Sequence, residues 1–231
     1  MKKIGLLGGM SWESTLEYYR IINQTVKEKM GGLHSAECIV YSVDFAEIEK
    51  LQHESLWDEA LALLTQAARS IETAGADFLL ICTNTMHKLA PDIQQQLSIP
   101  LLHIADPTAQ KVRSAGLRKV ALLGTRFTME EDFYRGRLQR PHGLQVLIPS
   151  ESDRQTVHRV IYDELCLGRI EAASAEHYAR IIERLIGAGA EGVILGCTEI
   201  GLLVKPEDYR IPLFDTTRIH AEAAVDFALE E

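Results

Sequence analysis

The sequence lacks the features that direct a chain to nucleic acid or to a membrane. Its 24 Lys and Arg residues are outnumbered by 33 Asp and Glu, and the formal net charge is −9. This balance argues against nucleic acid or an anionic membrane as the main partner. No apolar run approaches the roughly 20 residues that cross a bilayer, and the apolar residues after Lys3 are too few for a signal peptide. We therefore expect a cytoplasmic protein.

Paired cysteines and the common metal and nucleotide motifs are also missing. No CxxC, HxxxH or HExxH occurs, so we expect no metal site and, in a reducing compartment, free thiols. The turns at 8–11 and 124–126 lack the GxGxxG and GxxxxGKS/T spacings of nucleotide sites. They favour instead a close approach of the backbone to a small ligand. The four cysteines are Cys38, Cys82, Cys166 and Cys197.

What the chain does contain is an internal duplication. Three segments of the first half recur in the same order in the second half, at offsets of 112 to 116 residues. One pair alone is weak evidence because Gly, Ala and Leu are common, but three in one order indicate two homologous halves. In that alignment Thr83 stands opposite Cys197. The pairs are 4–8 with 120–124, 74–85 with 188–199, and 99–101 with 211–213.

Short apolar runs alternate with longer amphipathic segments along the whole chain. This alternation predicts an α/β fold whose mostly parallel strands are covered on both faces. Ser11 and Ser55 are the predicted N-caps of the first two long helices. The predicted strands are 3–8, 37–42, 77–82, 100–103, 118–123, 144–148, 191–196 and 211–214. The predicted helices are 12–30, 56–74, 106–115, 128–139, 153–167, 172–187 and 217–230.

The duplication predicts two similar parallel-sheet lobes related by pseudo-two-fold symmetry. We assign residues 1–103 plus 215–231 to the N-terminal lobe and residues 104–214 to the C-terminal lobe. Open parallel sheets bind ligands at the carboxyl ends of their strands. Two such edges facing each other would form one active-site cleft, with Thr83 and Cys197 on opposite walls.

Cys197 is the strongest candidate for chemistry. It follows an apolar strand and precedes a predicted helix start, where backbone N–H groups and the helix dipole lower the pKa of a thiol. The alternative is a buried structural cysteine. Thr83 can donate, accept or relay a proton, but without help it is no base near neutral pH. Cys82 should point to the opposite face of its strand and belong to the core.

Short polar residues beside these two positions are candidate ligand-binding groups. Asn84, Thr85 and Thr198 lie next to exposed backbone amides, an arrangement that suits either a small carboxylate or ordinary helix capping. His87 follows Thr83 by one helical turn. It could support the site, cap a helix or lie on the surface.

Four further residues have weaker support from the sequence. Asp44 and Gln52 flank a predicted loop after the second strand and could line the cleft. His103 and Asp215 occupy matching positions of the repeat, and we interpret both as residues of the junction between the lobes.

The motifs at 8–15 (GGMSWEST), 82–87 (CTNTMH) and 196–199 (GCTE) resemble the aspartate/glutamate racemase family, most closely its broad-specificity amino-acid racemases of enteric bacteria. The resemblance spans the whole chain and implies a dimeric isomerase that inverts Cα of an amino acid without pyridoxal phosphate or another cofactor. In the family, two cysteines act as thiolate base and thiol acid; here those positions are Cys197 and Thr83. The implied substrate-binding residues are Met10, Gln52, Asn84, Thr85, Thr125 and Thr198.

The chain departs from the family pattern in two places. With Thr83 in place of a cysteine, Cys197 should take the proton from an L-substrate, and Thr83 or a water it holds should return one. This implies a bias toward L-substrates with hampered D-to-L turnover. Some aspartate racemases also hold the side-chain carboxylate with basic residues that are absent from 44–47 (DFAE) and 164–168 (ELCLG). Either Arg126 or another cation takes that role, or neutral amino acids are also accepted.

Two other functions fit the sequence. Arylmalonate decarboxylases resemble this layout and have only the second-half cysteine, although the Asn84-Thr85 pair argues against them. A catalytically dead amino-acid-binding protein would have lost its base at Thr83. Release of carbon dioxide would identify the first, and a lack of Cα exchange with any amino acid would identify the second.

Overall fold

The computed structural model describes residues 1–230, which form two compact units. The first contains Met1–Ile104 and the C-terminal segment from His220, and the second contains Ala105–Ile219. The chain thus passes between units at 104/105 and 219/220, where the sequence placed the boundaries at 103/104 and 214/215. None of the helices in residues 1–230 is long and apolar enough to span a membrane.

The first unit is built around a three-stranded parallel sheet with the strand order β2-β1-β3. Ile4 pairs with Cys38 on one side and with Phe78 on the other. The elements are β1 (Ile4–Gly8), α1 (Trp12–Met30), β2 (Cys38–Ser42), α2 (Phe45–His53), α3 (Trp57–Thr73), β3 (Phe78–Ile81), a 3-10 helix (Thr85–Leu89) and α4 (Ala90–Gln94).

Strands β1 and β3 of this sheet are buried on both faces, as their apolar sequences predict, whereas the edge strand β2 is partly exposed. Successive side chains of a strand point to opposite faces, so Leu6 and Leu7 of β1 enter two different hydrophobic clusters. The Leu7 cluster is covered by α3 through Leu64 and Ile71. The Leu6 cluster is covered by α1, which contributes Tyr18, and by the C-terminal helix.

The second unit has a four-stranded parallel sheet with the strand order β5-β4-β6-β7. The last helix begins in this unit and ends in the first. The elements are α5 (Ala105–Ser114), β4 (Lys119–Gly124), α6 (Arg126–Glu130), α7 (Asp132–Gln139), β5 (Gln145–Leu147), α8 (Glu151–Asp163), a 3-10 helix (Leu165–Leu167), α9 (Ala172–Gly187), β6 (Gly192–Gly196), α10 (Ile200–Leu203), a 3-10 helix (Pro206–Asp208), β7 (Leu213–Asp215) and α11 (Thr216–Leu229).

The two sheets repeat the same strand order, which is the duplication seen in the sequence. β2-β1-β3 corresponds to β5-β4-β6, and the fourth place differs. In the second unit it is filled by β7, whereas in the first unit only Leu101 makes an isolated parallel bridge to Leu79. The predicted strand 100–103 is therefore wrong, because a single bridge does not extend into a ladder.

Several helix boundaries differ from those predicted. Ser11 does cap α1, accepting a hydrogen bond from the Ser14 N–H. Ser55 does not cap α3: its φ is 59°, and Leu56 precedes the helix without a side-chain cap. The predicted helix 128–139 is two helices, because Glu131 between them is extended (φ −83°, ψ 156°).

One helix, α2, lies where the sequence predicts a loop. Asp44 accepts a hydrogen bond from the Ala46 N–H and begins α2, so Asp44 and Gln52 lie at the two ends of a helix. Only Glu54, Ser55 and Leu56 separate α2 from α3. Because the connection has only three residues and the sequence pattern is helical on both sides of it, the pattern does not reveal the boundary between α2 and α3.

Candidate active site

The candidate residues of the first unit follow the carboxyl ends of its strands. Met10 follows β1, and Thr83, Asn84 and Thr85 follow β3. Met10, Asn84 and Thr85 are buried, Thr83 is half-buried, and Gln52 is buried on α2. Since ligands of open parallel sheets bind at this edge, the predicted residues are in the expected part of the unit.

The glycines of the turn after β1 are explained by packing within the protein. Gly9 has φ +90°, a conformation that favours glycine, and a Cβ there would collide with the Val43 backbone. A Cβ on Gly8 would collide with the side chain of Thr15. The expectation that this turn is glycine-rich to admit a small ligand is therefore unnecessary.

Thr83 is held in place by a hydrogen bond to its backbone. Its carbonyl oxygen accepts a hydrogen bond from Nδ1 of His87 at 2.8 Å. The other ring nitrogen, Nε2, accepts from the Ile104 N–H at 3.2 Å. Because His87 is fully buried, a surface role is excluded, and the supporting role behind Thr83 and the capping role both stay predictions.

In the second unit, Thr125 and Thr198 follow strands β4 and β6. Thr125 is buried and caps α6, where its Oγ1 accepts a hydrogen bond from the Thr128 N–H. Thr198 is half-buried, and its hydroxyl accepts a hydrogen bond from Thr217 Oγ1 at 3.2 Å. Arg126 is the exposed residue that begins α6, so it is also at the carboxyl edge of this sheet.

Cys197 directly follows β6, and its thiol donates a hydrogen bond to Glu199 Oε2 at 3.0 Å. Burial, followed by the negative charge of Glu199, raises the pKa of Cys197 well above its ordinary value. Cys166 raises it further, while the Glu199 N–H favours the thiolate. The sequence prediction of a lowered pKa is thus wrong, because burial of the thiol and, after it, the charge of Glu199 outweigh the helix start, and the helix here, α10, has only four residues.

Glu199 is a candidate functional residue that the sequence did not single out, although it belongs to the GCTE motif at 196–199. Its side chain is buried, with 8% of its surface exposed, and it is the direct acceptor of the Cys197 thiol proton. A thiol with a carboxylate partner can pass its proton on before it acts as a base.

Cys82 and Cys38 have different surroundings. Cys82 is fully buried in the Leu6 cluster, as predicted, and burial raises its pKa. Burial raises the pKa of Cys38 to about 11. Within residues 1–230, no group of three or more His, Cys, Asp or Glu side chains could hold a metal ion.

This combination defines a class of protein: a duplicated α/β enzyme with short polar side chains and one carboxylate-paired thiol at the carboxyl edges of its sheets. The sequence profile of the Asp/Glu/hydantoin racemase family matches residues 7–224. The chain belongs to this family and is an amino-acid racemase, an isomerase.

The relatives agree with this assignment. The broad specificity amino-acid racemase RacX of Bacillus subtilis is 25% identical over 227 residues, which are 96% of each chain. A crystal structure of a candidate Asp/Glu racemase from Yersinia pestis is 56% identical, covers 100% of both chains and has a TM-score of 0.93. An aspartate racemase homologue from Pyrococcus horikoshii is 36% identical over 100% of both chains, with a TM-score of 0.86. The family resemblance and the α/β fold class of the sequence analysis are confirmed.

Proposed function

We propose that the protein is a cofactor-independent racemase that inverts Cα of aspartate, glutamate or a broader range of amino acids, with Cys197 and Thr83 as its two proton-transfer residues. The observation that carries this proposal is their equivalence. Thr83 follows β3, which pairs with β1, and Cys197 follows β6, which pairs with β4, so both stand at the same place in the repeat. Inversion at carbon needs one group for each face, and the duplication supplies two.

The proton steps follow from the contacts of Cys197. Its thiol proton first passes to Glu199, the hydrogen-bonded acceptor at 3.0 Å. The thiolate then takes the α-proton of the L-amino acid and leaves a carbanion. Thr83 donates its hydroxyl proton to the opposite face and recovers one from water. Glu199 releases the proton it took to the hydroxide so formed, which regenerates the water and returns the enzyme to its starting state. The product is the D-amino acid, and no redox partner is needed.

The α-amino acid head group would be held by short polar side chains. Backbone N–H groups and short hydroxyl or amide side chains suit a carboxylate. The proposed residues are Asn84, Thr85, Thr125 and Thr198. The buried side chains of Met10 and Gln52 would complete the lining.

The bias toward L-substrates takes a specific form. Free L- and D-amino acids have equal free energies, so kcat/KM for inversion must be equal in the two directions. Exchange of the α-proton with retention of configuration is not subject to this equality of kcat/KM. Cys197 removes and returns a proton on the L-face readily, whereas Thr83 is a poor base on the D-face. L-substrate should therefore exchange its α-proton faster than it inverts, and D-substrate only as fast as it inverts.

The experiment is to follow Cα proton exchange for a panel of L- and D-amino acids in deuterated water. We expect faster label uptake by L-substrate and its near-complete loss in Cys197→Ser, by about 10³-fold, which lies within the usual range for general acid–base catalysis. Cys38→Ser, a thiol of β2, is the matched control and should exchange normally. Equal uptake by both enantiomers would refute the asymmetric mechanism.

The same assay separates the alternative functions. Release of carbon dioxide from an arylmalonate would support a decarboxylase. A wild-type protein that binds amino acids, yet exchanges the α-proton of none, would be a binding protein.

We also propose that the racemase is cytoplasmic and works as a homodimer, in keeping with the family resemblance. Trp12, Leu16 and Tyr19 form an exposed apolar stripe on α1, with 63%, 57% and 48% of their surface exposed. Such a stripe is a candidate contact for a second copy. Light scattering should give the mass of a dimer and, for the double variant Leu16→Ser/Tyr19→Ser, that of a monomer. Leu33→Ser, an exposed apolar residue outside the stripe, should leave the dimer intact.

A further inference from the structure

The hydrogen bonds of His87 determine where its ring proton lies. A carbonyl oxygen only accepts, so Nδ1, 2.8 Å from the Thr83 oxygen, must carry the hydrogen. A backbone N–H only donates, so Nε2, 3.2 Å from the Ile104 nitrogen, must offer its lone pair. The contacts therefore specify a neutral imidazole in the Nδ1–H form.

The two partners of His87 come from different parts of the chain. Thr83 is the proposed proton-transfer residue, and Ile104 is the last residue of the first unit before the chain enters α5. Both ends of the ring are bonded to backbone groups, so the ring cannot rotate without losing a bond. The position of the Thr83 backbone is thereby tied to the point where the chain leaves the unit.

A second buried histidine is fixed in a similar way at the place where the chain returns. Nε2 of His220 is 2.9 Å from the Leu102 carbonyl oxygen, and its Nδ1 is 2.8 Å from the Tyr18 hydroxyl. The centroids of the His87 and His220 rings are 5.7 Å apart. His87 is thus packed in a buried, hydrogen-bonded cluster, and of these two histidines it is His87 that bonds to Thr83.

We propose that His87 is a positioning residue: its Nδ1–H, oriented by the Ile104 N–H, fixes the Thr83 backbone and so aims the Thr83 hydroxyl at the substrate. Threonine is β-branched and restricted at χ1, so the orientation of its backbone largely sets where its hydroxyl points. A misplacement of about 1 Å can reduce a rate by about 10²-fold. The inference rests on the proposed function of Thr83 as a proton donor.

Two substitutions of His87 test its two hydrogen bonds separately, because each keeps one bond and removes the other. In His87→Asn the amide nitrogen takes the place of Nδ1, which keeps the bond to Thr83 and loses the one to Ile104. In His87→Gln the longer side chain brings its amide oxygen to the place of Nε2, which keeps the Ile104 bond and loses the Thr83 bond. Tyr18→Phe, which loses a bond in the same cluster without touching His87, is the control for general destabilisation.

We expect His87→Gln to lower kcat for L-to-D inversion by roughly 10- to 100-fold with little change in KM, because only the aim of Thr83 is lost. Exchange of L-substrate with retention, which needs Cys197 and Glu199 but not Thr83, should persist. His87→Asn and Tyr18→Phe should invert within a few-fold of wild type, even where thermal unfolding shows that they are less stable. Nitrogen-15 NMR of the wild type should show His87 in the Nδ1–H form.

The outcomes distinguish this inference from the function on which it rests. A wild type that exchanges no amino acid refutes the proposed function, and this role of His87 with it. If the wild type exchanges and His87→Gln inverts as well as His87→Asn, the role of His87 alone is refuted. A cationic His87, or one in the Nε2–H form, would also refute it.

Discussion

The thiol of Cys197 donates a hydrogen bond to the buried carboxylate of Glu199, with 3.0 Å between Sγ and Oε2. Burial of the thiol and then this contact reverse the expectation from the sequence, in which a strand end and a helix start would have favoured the thiolate. The sulfur of Cys197 instead keeps its proton, and the Glu199 carboxylate that can accept this proton lies beside it. The pKa of Cys197 therefore depends on Glu199 as well as on the thiol itself.

Replacing Glu199 with Gln should separate its effect on acidity from its role as proton acceptor. Loss of the negative charge lowers the pKa of Cys197, because Glu199 contributes to raising it. Alkylation of Cys197 at neutral pH, followed by peptide mass spectrometry, should therefore be faster than in wild type. Inversion should nevertheless fall by about 10²-fold, since proton transfer by a positioned side chain contributes this much.

The pH profile of the wild type tests the same relationship. Since the pKa of Cys197 is raised, the reactive thiolate is scarce at neutral pH and becomes more abundant as the pH rises. kcat/KM should therefore increase toward alkaline pH, and in Glu199→Gln the rise should begin at lower pH. An identical alkaline limb in the two proteins would contradict the coupling.

Substitutions at Thr83 should alter inversion and exchange differently. Thr83→Val keeps the shape but removes the hydroxyl, so inversion should fall by about 10²-fold or more while L-exchange with retention continues. Thr83→Cys restores a thiol, and D-substrate should then exchange faster than in wild type. Thr83→Ser is the conservative control and should retain inversion. Chiral chromatography with proton NMR measures both rates.

Arg126 is the cation whose place, at the carboxyl edge of β4, suits the side-chain carboxylate of an acidic substrate. If it binds that group, Arg126→Met should raise KM for aspartate and glutamate by about 10-fold or more, as expected for a lost charge-assisted hydrogen bond. KM for neutral amino acids should not change. Arg118→Met, at the opposite end of the same strand, is the matched control. Equal effects on acidic and neutral substrates would exclude this role.

Asp106 contributes to stability in a pH-dependent way. Burial alone would raise its pKa, but hydrogen bonds and charge from Arg137 and His142 outweigh burial and hold the pKa below its usual range. The stabilisation is therefore fully present above the unfolded-state pKa, about 3.9, and is lost as the pH falls through the lower folded-state value. At pH 7, Asp106→Asn should lower the free energy of unfolding by roughly 0.5–1 kcal/mol, a modest value because the pair is partly exposed.

The measurement for Asp106 is urea unfolding at several pH values. The difference between wild type and Asp106→Asn should shrink below about pH 4, where the wild-type carboxyl also becomes protonated. A difference that stays constant into acid would mean that the lost interaction is not the ion pair.

Much of the fold follows from local sequence patterns. The sequence predicts the apolar strands, the capping of α1 by Ser11 and the repeated strand–helix order, because each depends on a few neighbouring residues. The errors arose where distant residues decide the outcome. Ladder formation near Leu101 requires a partner strand of sufficient length, and the extended conformation of Glu131 interrupts a stretch that is helical by composition.

For the site, the sequence by itself determined which residue types follow the strand ends, including the mismatch of Thr83 with Cys197, because a repeat can be aligned without coordinates. Only the tertiary structure decided the state of those residues. Cys197 is acidic or not according to the burial around it and the charge of Glu199. Thr83 is held by a histidine whose second bond reaches Ile104, 17 positions further along the chain. Burial, charge proximity and hydrogen-bond direction depend on distances in space, and these exist only once the chain has folded.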